Sequence, residues 1–215
     1  MFAREGKRII IGVALVVILS AVGGWIANLL YLKILTAISL LFFIFCGFFF
    51  RDPRRTIPIG DRLVLAPADG KVVYVGEEVI KQNDFTSRGK QVSIFLSIFN
   101  VHTNRIPVSG VVTYANHTRG KFLAAFKMEA TEVNEQTEIH IQTGEMLVKV
   151  KQIAGILARR IICYLKEGDR VTRGSRLGYI RFGSRTDLIM PAKTKVLVSV
   201  GDRVKGGETI IGELI

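Results

Sequence analysis

The sequence predicts a mainly β protein: a barrel-sandwich-like antiparallel domain behind an N-terminal transmembrane helical hairpin. Three observations carry this expectation. Two long uncharged apolar runs, Ile9–Leu32 and Ile34–Phe50, fill the start of the chain. From Leu63 onward, short runs rich in Val, Ile, Leu and Phe alternate with Gly, Asp and Asn turns. No alternation of strand and helix patterns occurs, which argues against a parallel α/β sheet. The 215 residues suffice for one globular domain plus an anchor.

A bilayer-spanning helix needs about 20 mostly apolar residues. The runs fit a first span near Ile9–Ala27, a tight turn near Asn28 and a second span near Leu32–Phe50, making residues 1–50 the anchor. Lys33, between the runs, can extend its stem toward headgroups at the far interface. Arg4, Lys7 and Arg8 precede the first span, and Arg51, Arg54 and Arg55 follow the second. Positive-inside bias then places both ends, and the following domain, on the cytoplasmic side of the cell membrane. A cleaved signal peptide is the rival, but a second apolar run followed at once by a basic cluster fits it poorly. A single tilted span with a buried second segment stays open.

Residues 51–62 (RDPRRTIPIGDR) read as a juxtamembrane linker, because Pro53 and Pro58 discourage helix. Strand-like runs then follow at Leu63–Ala66, Lys71–Gly76, Val92–Leu96, Gly110–Ala115, Glu138–Gln142, Met146–Gln152, Leu177–Ile180, Leu188–Met190, Val196–Val200 and Thr209–Glu213. The pattern over Ile153–Tyr164 fits either a short helix or a continued strand. A weak repeat is visible: Gly168-Asp169-Arg170-Val171 and Gly201-Asp202-Arg203-Val204, each followed by further glycines. Such turns occur in barrel-sandwich domains, including biotinyl and lipoyl carriers.

The net charge of +12 suits an anionic leaflet, where each nearby Lys or Arg gains about 1 kcal/mol. No basic stripe interleaved with aromatics points to nucleic acid. Cys46 and Cys163 make no disulfide framework. No metal is expected.

Four segments bear candidate chemistry. Arg181-Phe182-Gly183-Ser184-Arg185 lies between strand-like runs; alone, Gly-Ser is a turn dipeptide. Ala66-Pro67-Ala68-Asp69-Gly70-Lys71 forms a Pro-x-Asp-Gly turn, for which backbone geometry alone is a sufficient reason. Phe99-Asn100-Val101-His102-Thr103-Asn104-Arg105-Ile106-Pro107 carries one of three histidines, and His117-Thr118-Arg119-Gly120-Lys121-Phe122, followed by Asn134-Glu135, carries another. His140, inside a strand-like run, reads as structural.

In this order and spacing, APADGKV, FNVHTNRIPVSG, H-x-x-GKF, NE and RFGSR closely resemble the short bacterial and archaeal form of phosphatidylserine decarboxylase. The resemblance includes the apolar anchor and spans essentially the whole chain. It implies a pyruvoyl decarboxylase domain over residues 63–215, self-cleaved at Gly183/Ser184. Its substrate would be an aminophospholipid, converted to phosphatidylethanolamine and carbon dioxide; some archaeal members act on archaetidylserine, an ether lipid. The cofactor would be a pyruvoyl group made from Ser184, whose ketone forms a Schiff base with the substrate amine and drains the electrons left by decarboxylation. Fragments 1–183 and 184–215 would stay paired, and longer members suggest a homodimer of that pair.

The resemblance assigns an Asp–His pair to self-cleavage, with Asp69 at the Asp position. His102 matches the first of two family histidines, tied to decarboxylation, while Arg105 stands where the second, tied to cleavage, is usual. This departure leaves His102 or His117 to supply the base. Arg105 and Lys121 are candidates to bind the substrate carboxylate or phosphate, with plain surface charge as the competing reading. Exposed apolar side chains among Phe122, Leu123, Phe126 and Met128 could dip into the leaflet, or pack in the core. The competing function is a non-enzymatic membrane adaptor or carrier module. It accounts for the anchor and the Gly-Asp-Arg-Val turns, but gives no reason for APADGKV, NVHTNR and GKF, and Lys193 in MPAKT has the wrong surroundings for a carrier lysine.

Overall fold

The computed structural model describes residues 2–82, 85–123, 125, 130–156, 160–181 and 183–215. The chain divides between Arg54 and Arg55 into two compact units.

The first unit is a helical hairpin, α1 (Lys7–Ile26) and α2 (Leu30–Phe49), both long and apolar enough to cross a membrane. Asn28 turns the chain with φ +51°, and its side chain accepts a 2.6 Å hydrogen bond from Lys33 Nζ. Small residues let the helices approach: Gly24 lies under Leu32, and Thr36 Oγ1 donates to Ser20 Oγ across the interface at 3.0 Å. Leu19, Trp25, Leu30 and Leu41 point outward and exposed, as lipid-facing side chains do. A backbone bond from Ala3 to Phe50 closes the open end of the hairpin, so Arg4, Lys7, Arg8 and Arg51 share that end.

The second unit is mainly β, with a curled, half-barrel antiparallel sheet. Its strands are β1 (Leu63–Leu65), β2 (Gly70–Gln82), β3 (Phe85–Leu96), β4 (Thr103–Arg105), β5 (Gly110–Thr118), β6 (Gln136–Thr143) and β7 (Met146–Ile153). There follow β8 (Ile161–Cys163), β9 (Arg170–Val171), β10 (Arg176–Ile180), β11 (Ser184–Pro191), β12 (Lys195–Val196), β13 (Arg203–Val204) and β14 (Ile210–Glu213). Eight form one sheet in the order β13-β2-β3-β11-β7-β6-β5-β9; two small sheets, β1-β14-β12 and β4-β10-β8, accompany it.

Alternation along these strands builds the core. Leu188 and Met190 on β11, Val92 and Ile94 on β3, Val148 and Val150 on β7, and Ile139 and Ile141 on β6 meet on one face of the sheet. Each fully buried aliphatic side chain contributes about 1.5–3 kcal/mol.

The Gly-Asp-Arg-Val repeat turns out to make the two edges of the large sheet. β9 pairs with β5, and β13 with β2. In each copy the Asp side chain caps the backbone N–H three residues back, at Lys166 or Ser199. Each Gly N–H bonds a strand carbonyl beside a bulge, Val112 or Val72. The facing Gly110 and Gly70 leave no room for a Cβ, which would stand 2.1 and 2.2 Å from the carbonyl oxygens of Gln142 and Phe95. The two edges are therefore built alike.

The structure adds short strands at Thr103–Arg105, Arg170–Val171 and Arg203–Val204, starts β11 at Ser184 rather than Leu188, and departs from the expected strands elsewhere too. β2 and β3 run on as a long hairpin beyond Gly76 and before Val92. Val196–Val200 is not one strand, because the Ser199–Asp202 turn ends it early. Ile153–Tyr164 contains strand at Ile161–Cys163, with residues 157–159 outside the described part.

Candidate active site

Ser184 opens β11, which lies between β3 and β7 near the middle of the large sheet. Pairing with β3 sets it opposite Leu96, pairing with β7 begins one residue later at Arg185, and Ser184 is fully buried. Its hydroxyl oxygen is buried with no hydrogen-bond partner among the described residues. Gly183 turns the chain into the strand with φ +60°, a conformation that glycine adopts without penalty. Phe182 lies outside the described residues.

The carbonyl of Gly183 has a shaped seat. A Cβ on Gly155 would stand 2.1 Å from Gly183 O and 3.2 Å from Gly183 C, with Ala125 Cβ also at 3.2 Å. Gly155 has no left-handed φ to explain its identity; its missing side chain is the space the carbonyl occupies. Sequence reasoning did not single out Gly155, since a glycine between strand-like runs reads as a loop.

His102 is fully buried and immediately precedes β4. Its carbonyl accepts from Ile180 N–H at 3.2 Å, and its ring is 6.2 Å from the Tyr179 ring. Two residues on, Asn104 donates to Thr186 Oγ1 at 3.4 Å and accepts from Gln152 Nε2 at 2.7 Å. The His102–Asn104 segment therefore bonds to the chain on both sides of the Gly183–Ser184 linkage.

Asp69 is brought to the same segment through the backbone: Arg105 N–H bonds Pro67 O at 2.8 Å. Its carboxylate does not meet a histidine among its described contacts. Asp69 Oδ1 accepts from Arg55 Nη2 and from Gly206 N–H, both at 2.8 Å. Arg55 also faces Glu208 at 3.8 Å and, like Asp69, is largely buried. From Arg55 onward, the segment expected as a linker is bonded into the domain. Thr56 N–H bonds Glu208, and Arg173 donates to the carbonyls of Pro58, Gly60 and Leu63. Arg105 is half-buried and donates to Gly174 O at 3.4 Å.

His117 stands apart. It projects from β5 onto the inner face, with Nδ1 2.9 Å from Thr137 Oγ1 and Nε2 3.6 Å from Glu135 Oε1. Thr137, Gln152 and Thr186 continue its row across β6, β7 and β11. Three strand spacings put it on the order of 14 Å along the sheet from β11. Lys121 is exposed, its backbone paired with Val133 and Glu135. Asn134 stitches this loop together, bonding Leu123 twice and Ala154 O once, each at 2.8 Å. Phe122 packs against Ala154, Ile161 and Ile180, and Leu123 is exposed; Phe126 and Met128 lie outside the described residues. His140 bonds Glu138 at 2.6 Å on the opposite sheet face.

The residue after Ser184 adds an element that the sequence did not announce. Arg185 and Asp187 form a fully buried ion pair, Nε–Oδ1 2.8 Å, and Arg185 also reaches Ala125 O and Thr131 Oγ1. Burial raises the Asp187 carboxyl above the usual carboxylate range, against the lowering pull of Arg185 and of a Ser93 hydrogen bond. Such a pair adds little net stability but fixes geometry, here of the backbone next to Ser184.

The family model described as phosphatidylserine decarboxylase matches residues 42–212. Among curated relatives, the chain is 42% identical over 214 residues to a protein of Geobacter metallireducens named phosphatidylserine decarboxylase proenzyme, covering 99% of this chain and 96% of that one. Proteins of the same name from Chlorobium limicola and Symbiobacterium thermophilum are 49% identical over 174 residues and 44% over 215. They are covered to 81% and 96% of their lengths, and cover 80% and 100% of this chain. On this evidence of sequence and length, the chain belongs to the phosphatidylserine decarboxylase family.

Proposed function

We propose that this chain is a self-processing, pyruvoyl-dependent decarboxylase of serine-headed phospholipids, held at the cytoplasmic face of a membrane by its helical hairpin. Family membership supports the reaction class, and the proenzyme names of the relatives support processing. The observation that carries the self-cleavage reading is the seat of one peptide bond: a buried Ser184 hydroxyl without a described partner beside a Gly183 carbonyl lodged against Gly155.

Ser184 Oγ attacks the Gly183 carbonyl carbon. The C–N bond breaks as the C–O bond forms, and the freed nitrogen takes the proton. Loss of the Ser184 Cα proton then expels the Gly183 carboxylate from Cβ, and water releases ammonia from the tautomerised residue. Arg105 stays protonated at cytoplasmic pH and cannot be the base. We assign proton transfer to His102, whose backbone is bonded beside the linkage, and a supporting charge to Asp69, oriented by Arg55. The pyruvoyl ketone supplies the electron sink for the pair left when carbon dioxide departs.

The smaller product, residues 184–215, would stay in place. β11 is hydrogen-bonded on both sides, β13 pairs with β2, and β14 pairs with β1. The test is Ser184→Ala in the full chain: it should run as one band on a denaturing gel and release no carbon dioxide from serine-headed lipid. Splitting at that position in the variant would refute Ser184 as the nucleophile, and an unbroken wild-type chain would favour the adaptor.

A further inference from the structure

A cavity of about 620 Å³ opens at the end of β2, β3 and β13, lined by Asp69, Lys71, Phe99, Asn100, Arg203 and Lys205 among others. Three of these side chains are exposed cations. Lys71 and Arg203 are directly opposed in the β2–β13 ladder, where like charges repel. None of the three has an ion-pair partner among the described residues. The one acid in the wall, Asp69, already gives Oδ1 to Arg55 and Gly206. Opposed cations around a cavity are relieved by an anion between them.

The position suits the substrate. Phe95 and Ser97, both in the wall, flank Leu96, the partner of Ser184. One strand spacing across and one residue along puts the backbone of that wall about 6 Å from the Ser184 backbone. Phe95, Lys71 and Arg203 point to the sheet face opposite Ser184 and Leu96. A headgroup joining the two therefore passes round the end of β3 and β11, where Ser184 is the first residue of its strand. In a serine phosphodiester the phosphorus and the amine nitrogen are four bonds apart, on the order of 5 Å. Phe99, 64% exposed at the rim, offers an apolar surface where the lipid glycerol would leave the cavity.

We propose that this cavity seats the phosphodiester of the lipid headgroup, with Arg203 and Lys205 gripping its oxygens and Lys71 completing the charge. The inference rests on the function proposed above and deepens it: it assigns phosphate recognition to the Gly-Asp-Arg-Val edge of the sheet rather than to Arg105 or Lys121.

The experiment compares two substrates with the full-length protein in detergent micelles. One is a short-chain serine-headed glycerophospholipid. The other is an O-alkyl serine, which keeps the amine and carboxylate but has no phosphate. The Arg203→Gln/Lys205→Gln variant should raise KM for the phospholipid about tenfold or more, process normally, and leave kcat/KM for the O-alkyl serine unchanged. The single variants, each losing part of the effect, give the same reading if the double variant folds poorly. Equal losses on both substrates, or no loss on the phospholipid, would overturn the proposal. So would a loss that vanishes when the phospholipid is supplied as monomers, because the cations would then grip a lipid surface. A wild-type protein inert on both substrates fails the function itself. In that case, competition by inorganic phosphate for a fluorescent glycerophosphoserine bound to the wild type, abolished in the variant, still decides the anion site.

Discussion

Gly155→Ala tests the seat of the scissile carbonyl. The added methyl would lie 2.1 Å from Gly183 O and 3.2 Å from both Gly183 C and Ala125 Cβ. Non-bonded carbon and oxygen atoms need more than 3 Å, so the carbonyl must retreat by about 1 Å. The enclosure is tight, and overpacking of this kind costs about 1–3 kcal/mol. Folding therefore survives with a lowered melting temperature. The reaction suffers more, because a misplacement of about 1 Å between reacting groups costs on the order of a hundredfold in rate. The assay is a pulse of synthesis followed by denaturing gels over time, with hydroxylamine added to cut any ester between Gly183 and Ser184. Stability is read separately by melting Gly155→Ala in the uncleavable Ser184→Ala background. Slow processing without ester accumulation, in a protein that melts only a few degrees lower, is expected. Cleavage at the wild-type rate would refute the reasoning. So would a loss of processing that merely tracks a loss of folded protein.

Arg55→Met leaves Asp69 largely buried with one of its two Oδ1 donors gone. Breaking a buried pair costs about 3–5 kcal/mol, and self-processing should slow roughly tenfold or more as the carboxylate loses its orientation. Arg55→Lys should restore part of the rate, and unchanged processing in Arg55→Met would separate Asp69 from the chemistry. Glu138→Gln gives a pH signature. The His140 hydrogen bond chiefly, with Lys151 and Lys149, lowers the Glu138 carboxyl against the opposing effect of burial. A carboxyl lowered on folding stabilises fully above its unfolded value of about 4.3 and loses that contribution as pH falls through the lower folded value. The melting-temperature gap between wild type and Glu138→Gln should be widest near neutrality and close in acid. A gap that does not narrow on acidification would contradict the assignment.

The parts of the molecule legible from sequence were those set by composition and by contiguous pattern. The helical hairpin follows from two uncharged runs and flanking arginines. The core strands follow from short apolar runs, as at Leu188–Met190, and from alternation, as at Val148–Lys151. The hairpin extension of β2 and β3 was hidden because Glu77, Glu78, Lys81 and Arg88 make it polar and leave no core signal. The Gly-Asp-Arg-Val repeat was visible, but its two copies mark opposite edges of one sheet only once the strand pairing is known.

At the site, the motifs named Ser184, Asp69 and His102, and the structure brings their segments to one end of the domain. It leaves His117 in another strand row and Lys121 in the solvent. Arg55 was obscured because it meets Asp69 across fourteen residues of apparent linker. Gly155 was obscured because what it contributes is an absence of atoms. The Arg185–Asp187 pair could have been suspected: an Arg and an Asp two apart on a strand share a face, and Asp187 adjoins the core residue Leu188.

Intact mass spectrometry of the purified wild-type chain tests the central claim most directly. The account predicts two polypeptides, residues 1–183 at their unmodified mass and residues 184–215 lighter than their sequence by one ammonia, because Ser184 has become a keto cap. A single species of full length that still releases carbon dioxide from serine-headed phospholipid would contradict it.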